Sequence, residues 1–144
     1  MREKTTHVLL VEDNPADARL AEEALREGQL DIHLSVVPDG AEALDFLYKR
    51  GVYAHVSIPD LVLLDLNLPR KSGAEVLADI KAAPELRRVP VIVLSSSRAS
   101  EDILRSYDLH ANCYISKPLE LDSFIDIIRQ INGYWFGVAA LPSQ

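Results

Sequence analysis

The sequence predicts an α/β fold: a parallel sheet with helices on both faces. Three observations predict it. Five short runs rich in Val, Ile and Leu recur along the chain. Most are continuously apolar, as in strands buried on both faces. Segments of helical spacing separate them, and strands alternating with helices make a doubly wound sheet joined by right-handed crossovers.

The elements follow in order. Residues 7–11 (HVLLV) form the first predicted strand, and Ala18, Ala21 and Leu25 mark the first helix at i, i+3, i+7. Residues 31–37 (DIHLSVV) are patchier and suit an edge strand. Ala41, Leu44 and Leu47 or Tyr48 give the second helical face. Residues 61–64 (LVLL) are uniformly aliphatic and run into Asp65; Gly73, Val76, Leu77 and Ile80 follow at helical spacing. A short polar loop, PELRRVP, precedes the fourth strand at 89–95, and SSSRAS follows it. Ile103, Leu104 and Tyr107 form a shorter helical face. Residues 111–116 (ANCYIS) complete the strands, and Phe124, Ile127, Ile128 and Ile131 give the clearest helical stripe. No repeat or linker interrupts this rhythm, which only the end, GYWFGVAALPSQ, departs from.

The bulk composition narrows the function. A length of 144 residues fits one domain, and an apolar content of 48% is ample for a core. A formal charge of −7 argues against a polyanion binder, so no nucleic acid partner is expected. The lone Cys113 excludes an intrachain disulfide and a multi-cysteine zinc site. The first apolar run is too short for a signal peptide, and no run approaches the ~20 apolar residues of a spanning helix. A soluble, unprocessed, cytoplasmic protein without membrane contact is expected.

Ligands of an open parallel sheet bind outside the carboxyl ends of its strands. Those ends carry Glu12-Asp13-Asn14, Asp65-Leu66-Asn67, Ser95-Ser96-Ser97 and Ser116-Lys117-Pro118. Carboxylates crowded together repel, and a hard divalent cation relieves the repulsion. Mg²⁺ takes oxygen ligands and favours one or two carboxylates with a phosphate. An ionised aspartate beside it can attack phosphorus, with a lysine and a hydroxyl holding the phosphoryl oxygens. Asp65 is then the nucleophile, and the Asn67 backbone carbonyl a further metal ligand. No His/Cys cluster is apparent for zinc: His7, His33, His55 and His110 are scattered without metal spacing and are assigned no role.

Glu12-Asp13, Asp65, Ser95 and Lys117-Pro118, in this order, resemble the receiver domain of bacterial two-component response regulators. The resemblance spans about residues 6–131 and implies a single receiver domain over 1–144, with 132–144 as an aromatic extension. It implies a flavodoxin-like, CheY-like (βα)5 sheet of strand order 2-1-3-4-5. It implies Asp65 as phosphoacceptor, with Glu12, Asp13, Asp65 and the Asn67 carbonyl around Mg²⁺. Ser95 and Lys117 then hold the phosphoryl group, Tyr114 is the switch aromatic, and Pro118 is a cis-proline candidate. Ser96 stands where receivers often carry Ala or Gly. With Asn67 and Ser97, it is expected to tune phosphoryl access and lifetime. VEDNPADARL and YWFGVAALP further resemble the single-domain regulators paired with phytochromes.

Plainer roles compete with these. Glu12 and Asp13 suit a helix cap, Asp65 and Ser95 strand-end turns, and Lys117-Pro118 a loop pair. Cys113 suits a buried apolar position. Tyr134, Trp135 and Phe136 either fold onto the chain's own surface or form an interface, where aromatics are favoured. The constellation as a whole favours a phosphorelay receiver that takes its phosphoryl group from a histidine kinase, expected to be a bacteriophytochrome. It would catalyse only its own phosphorylation and dephosphorylation, with no separate enzyme activity. Few residues follow the last stripe, so output through protein contacts and a homodimer is expected, with an unknown downstream protein. The alternative is a phosphohydrolase resembling the haloacid-dehalogenase type. That type needs Asp-x-Asp, with the second Asp as general acid, and this chain has Asn67 there. A phosphate-independent binding module leaves the acidic set and Lys117 without purpose.

Overall fold

The computed structural model describes residues 6–27, 32–66, 68, 71–95 and 113–116, together with Asp126, Arg129 and Gln130. Its strands are β1 (Thr6–Val11), β2 (Ile32–Val37), β3 (Leu61–Asp65), β4 (Val91–Ser95) and β5 (Cys113–Ser116). They form one sheet in the order β2-β1-β3-β4-β5. All four pairings are parallel. The expected strand order is therefore observed, and the patchy second run is an edge strand. The described helices are α1 (Pro15–Glu27), α2 (Gly40–Leu47) and α3 (Gly73–Ala82).

The aliphatic strands are buried on both sides because helices cover both faces. Val8, Leu10, Leu61, Leu63, Ile92 and Leu94 pack with Ala18, Ala21 and Ala24 of α1. Leu9, Val11, Val62, Leu64, Val91 and Val93 pack with α2 and α3 on the other face. Each fully buried Val or Leu contributes about 1.5–3 kcal/mol relative to an exposed one. The two faces together hold the strand ends, and whatever sits on them, in fixed register.

Local signals set the helix starts. Asn14 Oδ1 accepts from the Ala16 and Asp17 amides at 2.9 and 3.3 Å, and Pro15 takes the first helical position of α1. The Asp39 carboxylate caps α2 through the Glu42 amide at 2.8 Å. Ser72 and Glu75 form a reciprocal capping box at α3. The α2 face is wider than the predicted stripe: Ala43 and Phe46 are buried with Leu44 and Leu47.

Two features depart from the sequence expectation. The loop before β4 is not simply polar, because Leu86 and Val89 are 0% and 3% exposed. The Lys81 ammonium fastens it, donating to the carbonyls of Arg87 at 3.2 Å and Val89 at 2.8 Å. A turn of 3₁₀ helix, Gly51–Tyr53, follows α2, and Tyr53 packs on Phe46 with ring centroids 5.1 Å apart. The fourth predicted helix and the placement of the fifth lie outside the described residues. Asp126, Arg129 and Gln130 are helical and exposed, offset from the predicted stripe of Phe124, Ile127, Ile128 and Ile131.

Candidate phosphoacceptor and metal site

The site is built by two adjacent strands that end level with each other. Val11 of β1 is in register with Leu64 of β3, so the next residues, Glu12 and Asp65, come side by side. The Glu12 amide donates to the Val37 carbonyl at 3.0 Å, extending the ladder toward β2. Asp65 is in register with Leu94 of β4, and the Leu66 amide donates to the Leu94 carbonyl at 3.2 Å. Both carboxylates are thus carried on paired backbone.

Glu12 and Asp65 are only 4% and 6% exposed, whereas Asp13 is exposed. One carboxylate oxygen from each of the three lies within 4.8 Å of the others. The Asn14 amide donates to Glu12 Oε2 at 3.3 Å, which orients that carboxylate. Helix capping does not account for Asp13, because Asn14 caps α1. Three carboxylates so close are mutually repulsive, and a cation between them removes the repulsion. The all-oxygen donor set suits a hard divalent ion and offers no sulfur or nitrogen to a softer one.

The loop behind Asp65 is equally constrained. The Gly73 amide donates to the Leu66 carbonyl at 3.0 Å. A Cβ at Gly73 would stand 2.3 Å from the Asp65 carbonyl oxygen and 2.6 Å from Leu66 Cα. Only glycine lets α3 start this close to the end of β3.

The structure therefore brings Glu12, Asp13 and Asp65 together. Ser95 ends β4 one position beyond the residue level with Asp65, and it pairs with Ser116 of β5. Tyr114 lies on β5 opposite Val93. Asn67, Ser96, Ser97, Lys117, Pro118, Tyr134, Trp135 and Phe136 lie outside the described residues.

The histidines are scattered in the sequence, as expected, and among the described residues the only group of three with metal-ligand spacing is the acidic one. Sequence separation hides that His7, His33 and His55 line one pocket at the other end of the sheet. The parallel register of β1 and β2 places His7 opposite His33. That pairing was the one signal available beforehand, once the two strands were taken as neighbours. Among the described residues, no helix is long and apolar enough to cross a membrane.

The response regulator receiver domain family matches residues 8–129, and the chain belongs to that family. It is similar to response regulator Rcp1 of Synechocystis sp., with 43% identity over 136 residues, 94% of this chain and 92% of Rcp1. The structure of the Mn²⁺-bound form of Rcp1 superposes with a TM-score of 0.86 at 43% identity, covering 96% of this chain and 99% of that one. The structure of the phosphorylated cyanobacterial phytochrome response regulator RcpA superposes with a TM-score of 0.90 at 49% identity. That match covers 97% of this chain and 100% of RcpA.

Proposed function

We propose that Asp65 accepts a phosphoryl group from a histidine kinase and that the phosphorylated chain signals by contacting other proteins. The observation that carries this is the group of Glu12, Asp13 and Asp65 oxygens within 4.8 Å of one another. It sits where open parallel sheets bind their ligands. An Asp65 carboxylate oxygen attacks phosphorus of the donor phosphohistidine. The O–P bond forms, the P–N bond breaks, and the electron pair returns to the imidazole. Hydrolysis of the resulting acyl phosphate by water restores the carboxylate. The chain catalyses its own phosphorylation and dephosphorylation and nothing else.

Mg²⁺ fits the acidic group, with Glu12, Asp13, Asp65 and the Asn67 carbonyl as its holders. When bound, it supplies positive charge against the phosphoryl oxygens. The Mn²⁺-bound form of Rcp1 supports a divalent ion in a relative of this chain. Lys117 and Ser95 pair with the phosphoryl oxygens, and Tyr114 responds to the move of Ser95. Asn67, Ser96 and Ser97 govern access and lifetime, and Pro118 is the cis-proline candidate next to Lys117.

The kinase is a phytochrome. Support comes from RcpA, a phytochrome response regulator 49% identical to this chain. We place the chain in the cytoplasm, a reducing setting that its lone Cys113 fits. Residues 132–144, with Tyr134, Trp135 and Phe136, assist homodimerisation. Phosphotransfer assays with a phytochrome kinase in red and far-red light test the pairing. Transfer to the native chain that changes with light, and none to Asp65→Asn, is expected. Transfer from unrelated histidine kinases at the same rate would remove the phytochrome assignment.

A further inference from the structure

The amino ends of the strands carry a concavity of about 360 Å³. His7, near the start of β1, lies one strand-length from Glu12, about 17 Å at the usual rise per residue. The pocket is thus separate from the acidic group. His7, His33 and His55 line it with Ser35 and Asp60.

Three separate segments build this pocket, and the sheet sets two of its histidines on neighbouring strands. His7 and His33 are register partners in the β1–β2 ladder, and their ring centroids are 5.1 Å apart. His7 Nε2 lies 2.9 Å from Ser35 Oγ, and the ring rests edge-on against Phe46 with centroids 5.8 Å apart. Asp60 is tied to the same strand in both directions. Its amide donates to the His7 carbonyl at 2.7 Å, and its Oδ2 accepts from the His7 amide at 2.9 Å. His55 comes from the loop after the 3₁₀ turn, and both His33 and His55 are exposed.

We propose that His7, His33 and His55, with Asp60, bind a borderline transition-metal ion such as Zn²⁺ or Cu²⁺. Imidazole is the ligand these ions favour, and a carboxylate among the imidazoles selects a cation over an anion. Two nitrogens on one tetrahedral zinc ion lie about 3.4 Å apart, given Zn–N bonds of about 2.0–2.1 Å. The rings of His7 and His33 approach that requirement from paired strands, with centroids 5.1 Å apart. Among the described residues, only the acidic group has three donors within 4.8 Å of one another. The histidine pocket therefore closes on its ion as the exposed rings of His33 and His55 turn inward. The donor set differs in kind from the all-oxygen group at the other end, so the two sites sort hard from borderline ions.

The test uses the full chain without a histidine tag, stripped of metal and held in excess Mg²⁺. Zn²⁺ is titrated calorimetrically, and Cu²⁺ is followed by paramagnetic resonance, where nitrogen ligands split the signal. One ion per chain with at least two nitrogen ligands is expected. His33→Ala and His55→Ala should each weaken Zn²⁺ binding at least tenfold, while His110→Ala leaves it unchanged. Both target rings are exposed, so neither change threatens the fold. A Cu²⁺ spectrum with oxygen ligands alone would overturn the proposal. So would no uptake in excess Mg²⁺, or affinity that survives His33→Ala or is lost with His110→Ala.

Discussion

The Gly73 Cα hydrogen that a methyl group would replace points at the Asp65 backbone, where a Cβ would stand 2.3 Å from the carbonyl oxygen. The start of α3 is thereby locked to the residue proposed to take the phosphoryl group. Backbone on both sides leaves no flexible side chain to give way. Gly73→Ala should destabilise the fold by about 1–3 kcal/mol, the usual cost of overpacking. Phosphoryl uptake at Asp65 should slow several-fold in the remaining folded protein. Urea unfolding and phosphorylation rates measured on the same preparation check both parts.

Crowded carboxylates make a stability prediction as well. Glu12, Asp13 and Asp65 present oxygens within 4.8 Å of one another, which costs stability when no cation is present. Asp13→Asn should raise the metal-free Tm by about 2–4 °C, and the further rise expected of the native chain in Mg²⁺ should be mostly absent from the variant. Thermal melts of both chains with chelator and with Mg²⁺ provide the comparison. A lower metal-free Tm in the variant would show that Asp13 is structural.

The capping box at α3 predicts a smaller, purely structural effect. Ser72 Oγ lies 3.2 Å from the Glu75 amide nitrogen, and the Ser72 amide donates to Glu75 Oε1 at 3.3 Å. Ser72→Ala should cost about 1 kcal/mol. Its denaturant midpoint should fall without any change in slope.

Lys81 predicts a pH dependence. Burial lowers its ammonium below the ordinary lysine value of 10.5 in the folded chain. Just below that value the unfolded chain binds more protons than the folded one, so this residue makes stability rise with pH there. Lys81→Met removes that slope. The native chain should therefore gain stability relative to the variant as pH climbs toward 10.5. Across that window the difference between the two chains' urea midpoints should shift in the native chain's favour; parallel curves would contradict the assignment.

Much of this was legible in the sequence because buried parallel strands announce themselves. The runs ending at Val11, Asp65 and Ser95 are strands, and Val76, Leu77 and Ile80 are each 0% exposed as their spacing predicts. The meeting of Glu12 and Asp65 followed from placing the first and third strands side by side. What stayed hidden depends on tertiary packing. Leu86 and Val89 sit in a loop whose charged neighbours mask their burial. The convergence of His7, His33 and His55 needs strand register and the course of a loop, neither of which a spacing rule contains. The choice of Asn14 over Asp13 as helix cap likewise turns on which side chain faces the first amides.

Phosphoryl transfer to Asp65 is the step on which the proposed signalling depends. Intact mass of the native chain and of Asp65→Asn, after incubation with Mg²⁺ and acetyl phosphate or a cognate phosphorylated kinase, tests it most directly. A gain of one phosphoryl group by the native chain alone is predicted. An equal gain by Asp65→Asn, or none by the native chain from either donor, would contradict it.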